Sequence, residues 1–379
     1  MKTRLVFEDV RTWIPDLVQA LFRAIPTGVG AKGAIAKLSA KEVRRVLERG
    51  AEWAIERGYG EPADLERTEE AGRLAGAEPD SVSDAAIERG EAQLGTLGSG
   101  NHFLEIDVVE EIYLPDVAAR FGLERGRLAL LIHSGSRGLG YQVCDDSLSV
   151  MGKAMERHRI QVPDRQLACA PLRSSEGRSY LGAMAAAANF AWANRQVMMS
   201  LAARACEQVL GLSPRDVGLS LLYDVCHNVA KLESHRIDGR TERVCVHRKG
   251  ATRAFGPGHA ELPAEYRDIG QPVLIPGDMG RGSYVLVGTE RAMEETFGST
   301  CHGAGRVLSR ARAKKAARGR DLVEELRRLG VAAMAHGRFA LAEEMPEAYK
   351  DVTEVVDVMD GAGISSRVAK LRPVGVIKG

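Results

Sequence analysis

Three of the nine histidines share a setting that suits metal chemistry. His102 sits in LGTLGSGNHFLEI, His133 in LLIHSGSRGLG and His227 in YDVCHNVAK, and each lies where an apolar run meets Gly, Ser, Asn or Cys. One such histidine is ordinarily a hydrogen-bonded core residue. Three in the same setting point to ligands, because imidazole is the commonest metal ligand and strand ends hold it rigidly. A fourth, His302, stands in GSTCHGAGRVLSR, a turn of small residues ahead of a run with helical character. Just outside a helix N-terminus the dipole opposes imidazolium, so the ring stays neutral and nucleophilic. It would attack a phosphorus atom, and the backbone N–H groups of Gly303, Ala304 and Gly305 would steady the charge on the phosphate oxygens. Cys301 is the rival nucleophile, since the same dipole favours a thiolate, but no dedicated base stands near it in the sequence.

The surroundings suit phosphate. Asn101, Arg137, Lys249, Arg306 and Arg310 lie in or next to glycine-rich loops, where backbone N–H groups approach phosphate oxygens without obstruction. The run RVLSRARAKKAARGR carries seven Arg and Lys between 306 and 320. It reads either as a solvated helix face or, beside a phosphoryl site, as a surface for a polyanion such as RNA. GVGAKG at 28 to 33 matches GxGxxG, yet it follows a helix-like segment with Pro26 and reads as a loop, not a dinucleotide fingerprint. No GxxxxGK[ST] occurs.

The elements that would hold these residues are mixed. Residues 8 to 24 and 40 to 58 have helical spacing, while 59 to 90 reads as a variable, exposed connection with a short helix. HFLEIDVVEEIY and RLALLIHSGSRG read as strands entering glycine-rich loops, and a long helix follows over 178 to 211. Strands are expected at 218 to 224, 242 to 247, 272 to 275 and 283 to 288. Helices are expected near 305 to 317, 320 to 330 and 351 to 360, ahead of a last strand in SSRVAKLRPVGVIKG. Helices and strands do not alternate, so the expectation is an α+β fold, one large domain over 1 to 379 with mixed or antiparallel sheets around a central cleft. With 52 Lys and Arg against 51 Asp and Glu, attraction to a polyanion must come from local clusters. Six cysteines without CxxC spacing imply reduced thiols in a cytoplasm. The start of the chain lacks the apolar core of a signal peptide, and the longest apolar run, 181 to 194, is too short to span a membrane.

Taken in order, LGTLGSGNHFLEI, HSGSRGLG, VCHN, KGAT, IPGDMGRGSYVLVG, CHGAGRVLSR, EAYKDV and the terminal VIKG resemble the RtcB-type RNA ligases from about residue 22 to 379. The resemblance implies joining of an RNA 3′-phosphate, or a 2′,3′-cyclic phosphate after opening, to a 5′-hydroxyl, with GTP and manganese (Mn2+). It implies that His302 takes GMP as a phosphoramidate, that His102 and His133 hold one manganese and that His227 holds a second. Asn101 would meet the GTP phosphates, Glu105, Ser283, Tyr349 and Lys378 the guanine, and Arg137 and Arg306 the RNA phosphates. An activating protein partner is compatible with it. Family members also carry, upstream of IPTGVGAKG, an Asp and a Cys that complete the metal pair. No Asp-x-x-Cys lies near the start here, so the expectation is either an internal start or a weakened metal site. The two other readings are a catalytically impaired RNA- or GTP-binding relative and a metal-dependent phosphoesterase acting on cyclic phosphate ends.

Overall fold

The computed structural model describes residues 1–379, apart from the side chains of Arg165 and Arg338. Its strands are β1 Lys2–Val6, β2 Phe103–Ile112, β3 Arg127–His133, β4 Asn228–Ile237, β5 Arg240–Lys249, β6 Ala251–Arg253, β7 Pro272–Asp278, β8 Gly282–Gly288, β9 Ser299–Cys301, β10 Ala332–Ala335 and β11 Ser365–Lys378. The fold is α+β, as the sequence predicts. One sheet runs β1-β3-β2-β11-β8-β7, with β10 joined to β11, and every pairing in it is antiparallel except β10 with β11. β4 with β5 and β6 with β9 form separate antiparallel pairs.

The contacts divide the chain into two compact units. The first comprises Met1–Val29, Leu97–His133 and Leu201–Gly379 and holds all the strands. Its spine is β11, which lies between β2 on one side and β8 and β10 on the other. Its apolar residues anchor it in the core, since Val368, Ala369, Leu371, Val374, Val376 and Ile377 are all buried. The aromatic core beside it includes Phe121 and Tyr266, whose rings meet edge to face at 5.2 Å.

The second unit, Gly30–Thr96 with Ser134–Ser200, is helical. The sequence predicts one helix over 40 to 58, but it is two, Ala40–Arg49 and Ala51–Glu56, broken at Gly50. There φ is 58° and ψ is −135°, a conformation open in practice to glycine alone, and a β-carbon would come within 2.0 Å of the Gly72 carbonyl oxygen. The segment 59 to 90 differs from an exposed connection: it holds helices Pro62–Glu66 and Asp84–Gly90 and buries Asp64, Thr68, Glu69, Val82 and Ile87. The helix Arg137–His158 has no counterpart in the sequence reading, whereas Ser175–Leu210 was expected within three residues. Inside this unit Asn194, fully buried, donates to the carbonyl oxygens of Thr96 and Gly135 and to Ser134 Oγ, and accepts from Thr96 N–H. That clamp fixes the HSGSR loop from which Arg137 emerges.

Two further expectations fail in the first unit. Residues 218 to 224 form no strand but only isolated bridge positions, among them Ser220 with Lys2. The helix expected over 305 to 317 is confined to Arg310–Ala316, capped by Ser309 Oγ accepting from Arg312 N–H. GVGAKG is a loop, as expected, and its Gly28 N–H donates to the Gly98 carbonyl oxygen at 2.7 Å. Among the described residues no helix is long and apolar enough to cross a membrane, and no disulfide links the cysteines. Replacing Gly50 by Ala is expected to lower the stability by about 1–3 kcal/mol, read as a lower denaturant midpoint. An unchanged midpoint would show that the break at Gly50 carries no constraint.

Candidate active site

The four histidines singled out from the sequence converge within the first unit. β2 and β3 pair so that Phe103 lies opposite His133, which puts His102, one residue ahead of β2, beside the end of β3. The His102 and His133 ring centroids are 5.8 Å apart. His227 immediately precedes β4, and its ring lies 5.0 Å from that of His133. His302 immediately follows β9, and its ring lies 4.7 Å from that of His227. The imidazoles thus form a continuous row, 102 to 133 to 227 to 302. Burial holds His133 well below the usual imidazole range, and the neighbouring His227 and His102 push the same way.

The His133 and His227 Nε2 atoms are 3.0 Å apart. As a hydrogen bond, this distance requires one ring to carry its proton on Nε2 and the other to present a lone pair. It is also the separation of two neighbouring ligands on one cation, since bonds of ~2.1 Å at right angles place nitrogens about 3 Å apart. Two imidazoles therefore fit a metal. Among the described residues, however, no group of three or more His, Cys, Asp or Glu is arranged to hold an ion, so the three-histidine set is not closed.

His302 is not at the mouth of a helix. Residues 302 to 309 are irregular, and the nearest helix starts at Arg310, too far for its dipole to act. The ring is nonetheless biased to the neutral form, by burial first; a backbone hydrogen bond with Gly250 opposes this and the Lys249 charge adds to it. Nor are all the following N–H groups open, because Ala304 N–H donates to the Pro276 carbonyl oxygen at 3.2 Å. Gly303 is close-fitting, as a β-carbon there would lie 3.1 Å from that oxygen, and Gly305 has φ 74°. Cys301, expected to favour a thiolate, does the opposite: burial pushes its thiol up to about 11.

A second cluster, of buried charge, lies on the sheet. Phe103, Glu105, Val376 and Lys378 share one face of β2 and β11, with Glu105 opposite Val376 and Phe103 opposite Lys378. The Lys378 ammonium sits 5.0 Å over the Phe103 ring. Glu105 and Lys378 are 3% and 4% exposed, so each needs the other's charge. Burial raises the Glu105 carboxyl well above the carboxylate range, the Asp107 charge adds to this, and Lys378 opposes it. Burial lowers the Lys378 ammonium against the pull of Glu344 and Glu105. Ser283 on β8 is buried, its hydroxyl accepting from Gly277 N–H at 3.3 Å.

Tyr349 joins this charge through Arg306, which donates to its hydroxyl at 3.0 Å, while the same hydroxyl donates to Glu344. Glu344 is fully buried and went unread in LAEEMPEAY, where nothing distinguishes it from its neighbour Glu343. Asp278 of IPGDMG, accepting from the N–H groups of Gly280 and Arg281, is the other acidic residue that sequence reading missed. Asn101 lies in the loop after β-bridged Gly98, half-buried. A β-carbon on Gly100 beside it would meet Arg310 Nη2 at 2.9 Å. Of the basic run, Arg310 and Lys314 pair with Glu343 and Arg320 with Glu325 and Glu347, while Arg312, Lys315 and Arg318 are exposed. Arg137 belongs to the helical unit. Its φ is 57°, its Nε donates to Thr96 Oγ1 at 3.1 Å, and burial lowers its guanidinium to about 10.

The arrangement sets the His302 imidazole against the close His133–His227 pair, whose spacing suits a cation, with a buried acid–base cluster in the same unit. Comparison with known proteins identifies the family. The family model described as "tRNA-splicing ligase RtcB" matches residues 1–379. The protein of that name from Archaeoglobus fulgidus is 54% identical over 379 residues, covering 100% of this chain and 78% of that one. Its namesake in Methanococcus maripaludis is 50% identical, with 79% of its length covered. The one in Pyrococcus abyssi is 52% identical, but the chain spans only 41% of it. By likeness along its whole length, the chain belongs to the RtcB family of tRNA-splicing ligases.

Proposed function

We propose that the chain is an RNA ligase that works in the cytoplasm and seals a 3′-phosphate or 2′,3′-cyclic phosphate end to a 5′-hydroxyl end, using GTP and manganese. The observation that carries this reading is the contact of the His302 ring, 4.7 Å away, with the His227 ring of the His133–His227 pair. A neutral imidazole beside groups that can hold a cation is the arrangement that attack on a nucleoside triphosphate requires.

In this reading the His302 lone pair attacks the α-phosphorus of GTP, the bond to pyrophosphate breaks and a histidine-guanylate forms. The GMP then passes to the RNA 3′-phosphate, a cyclic end having first been opened by water. The 5′-hydroxyl attacks that phosphorus, loses its proton and expels GMP. Burial serves the first step by keeping His302 unprotonated near neutral pH. Manganese, when held by His133 and His227 with His102 beside them, would offset the phosphate charge. Guanine presents N1–H and amino donors, which suit Glu105, and an O6 acceptor, which suits Lys378. Ser283 and Tyr349 would line the same pocket, Asn101 would meet the phosphates, and Arg137 is left to the RNA in this assignment, since the Arg306 fork is taken up by Leu308, Tyr349, Glu343 and Glu344.

Incubation with α-labelled GTP and manganese is expected to leave label on the protein, lost in His302→Ala and kept in Cys301→Ser, whose thiol is protonated near neutral pH. Reversible GTP binding without an adduct would favour a binding relative instead, and opening of cyclic ends without an adduct a phosphoesterase. His133→Ala is expected to lower bound manganese, measured by elemental analysis; an unchanged metal content removes that residue from the ligands. Lys378→Ala is expected to weaken GTP use with metal content intact. Equal loss of both would assign the residue to folding.

A further inference from the structure

Glu344 carries a role that the preceding assignments do not include. It lies just past the helix Arg338–Glu343, and its carboxylate is wholly removed from solvent. A lone carboxylate in that position would be expensive, so its partners define what it is for. They are an ion pair to Arg306 Nη1 at 3.0 Å, a hydrogen bond accepted from the Tyr349 hydroxyl and a looser ion pair to Arg310 Nε at 3.5 Å.

Arg306 is equally committed. Its Nη1 donates to the Tyr349 hydroxyl at 3.0 Å, its Nη2 to the Glu343 carbonyl oxygen at 2.5 Å and its Nε to the Leu308 carbonyl oxygen at 3.0 Å, while its guanidinium carbon lies 4.9 Å from the Tyr349 ring centre. Every nitrogen of the fork is used within the protein, so Arg306 has no open face for bidentate phosphate binding. The Tyr349 hydroxyl is also saturated, accepting from Arg306 and donating to Glu344. The clamp is wired into the chain after His302: Arg306 bridges Tyr349, Lys350 N–H donates to the Gly305 carbonyl oxygen and Val307 N–H to that of Ala348.

We propose that Glu344 is a positioning residue for the nucleotide: through Arg306 and Tyr349 it fixes the 303–307 loop and the Tyr349 ring in the geometry that receives GTP. The inference rests on the reading of His302 as the guanylate acceptor. A group that arranges the binding pocket without touching the reacting phosphorus changes affinity and leaves the chemical step alone.

The test compares Glu344→Gln, Glu344→Asp and the double variant Arg306→Met/Glu344→Gln for guanylation kinetics, bound manganese and equilibrium GTP binding. Glu344→Gln, which removes the carboxylate facing the half-buried Arg306 charge, is expected to raise KM for GTP about tenfold or more and to leave the saturating rate within about threefold. Manganese content should not change. The double variant, which removes both charges, is expected to recover part of the lost affinity, and Glu344→Asp to fall between wild type and Glu344→Gln. Should Glu344→Gln fail to fold, the other two variants carry the same comparison. An unchanged KM in a folded variant, or a fall in saturating rate at constant KM, overturns the proposal. If the wild type binds GTP but forms no adduct, the ligase reading fails and GTP affinity in the variants still decides the role of Glu344; if it does not bind GTP at all, both fail.

Discussion

The register of β2 against its two neighbours is the constraint on which the rest depends. Because side chains alternate along a strand, a slip of one residue would turn Phe103, Glu105 and Asp107 to the opposite face of the sheet. The pairing that puts His133 opposite Phe103 also puts Lys378 opposite Phe103, on β2's other side. One strand thus joins the row of histidines to the buried acid–base cluster. The apolar residues on both faces of β11 supply the burial energy that holds this register, and the charges ride on it.

Desolvation is the tool the fold uses throughout the site. It keeps His133 and His302 neutral, raises the Cys301 thiol and raises the Glu105 carboxyl while lowering the Lys378 ammonium. A single cause thereby favours nitrogen lone pairs over thiolate in the CH dipeptide at 301 and 302, which is why the proposed nucleophile is the histidine and not the cysteine. The price is a set of buried charges that must be matched, and Glu105 with Lys378, and Glu344 with Arg306, supply the matching.

Glycine has a specific part in two places. At Gly28 the chain passes so close to His336 that a β-carbon would lie 2.7 Å from its ring, and φ is 104°. At Gly50 the backbone angle itself excludes other residues. Elsewhere the site loops are held by side chains, Asn194 around Ser134 and Gly135 being the clearest case within the helical unit.

By itself the sequence determined the parts: four histidines in small-residue settings, the lysine one residue from the end, the α+β class and most of the strands that matter. These are local signals, an imidazole beside glycine or an apolar run with a period of two, and they survive without knowledge of any partner. It misread residues 305 to 309 as helix because RVLSRARAKKA has helical composition, whereas hydrogen bonds linking Gly305, Val307 and Leu308 to Ala348 and Lys350 hold that segment irregular. Tertiary structure alone decided that the histidines form a row, that burial and not a helix dipole keeps His302 neutral, and that Glu344 and not Glu343 is the buried acid. Each of these depends on groups 30 to 200 residues away in the chain coming within a few ångströms, and both dielectric and charge pairing are properties of that convergence, not of the residues themselves.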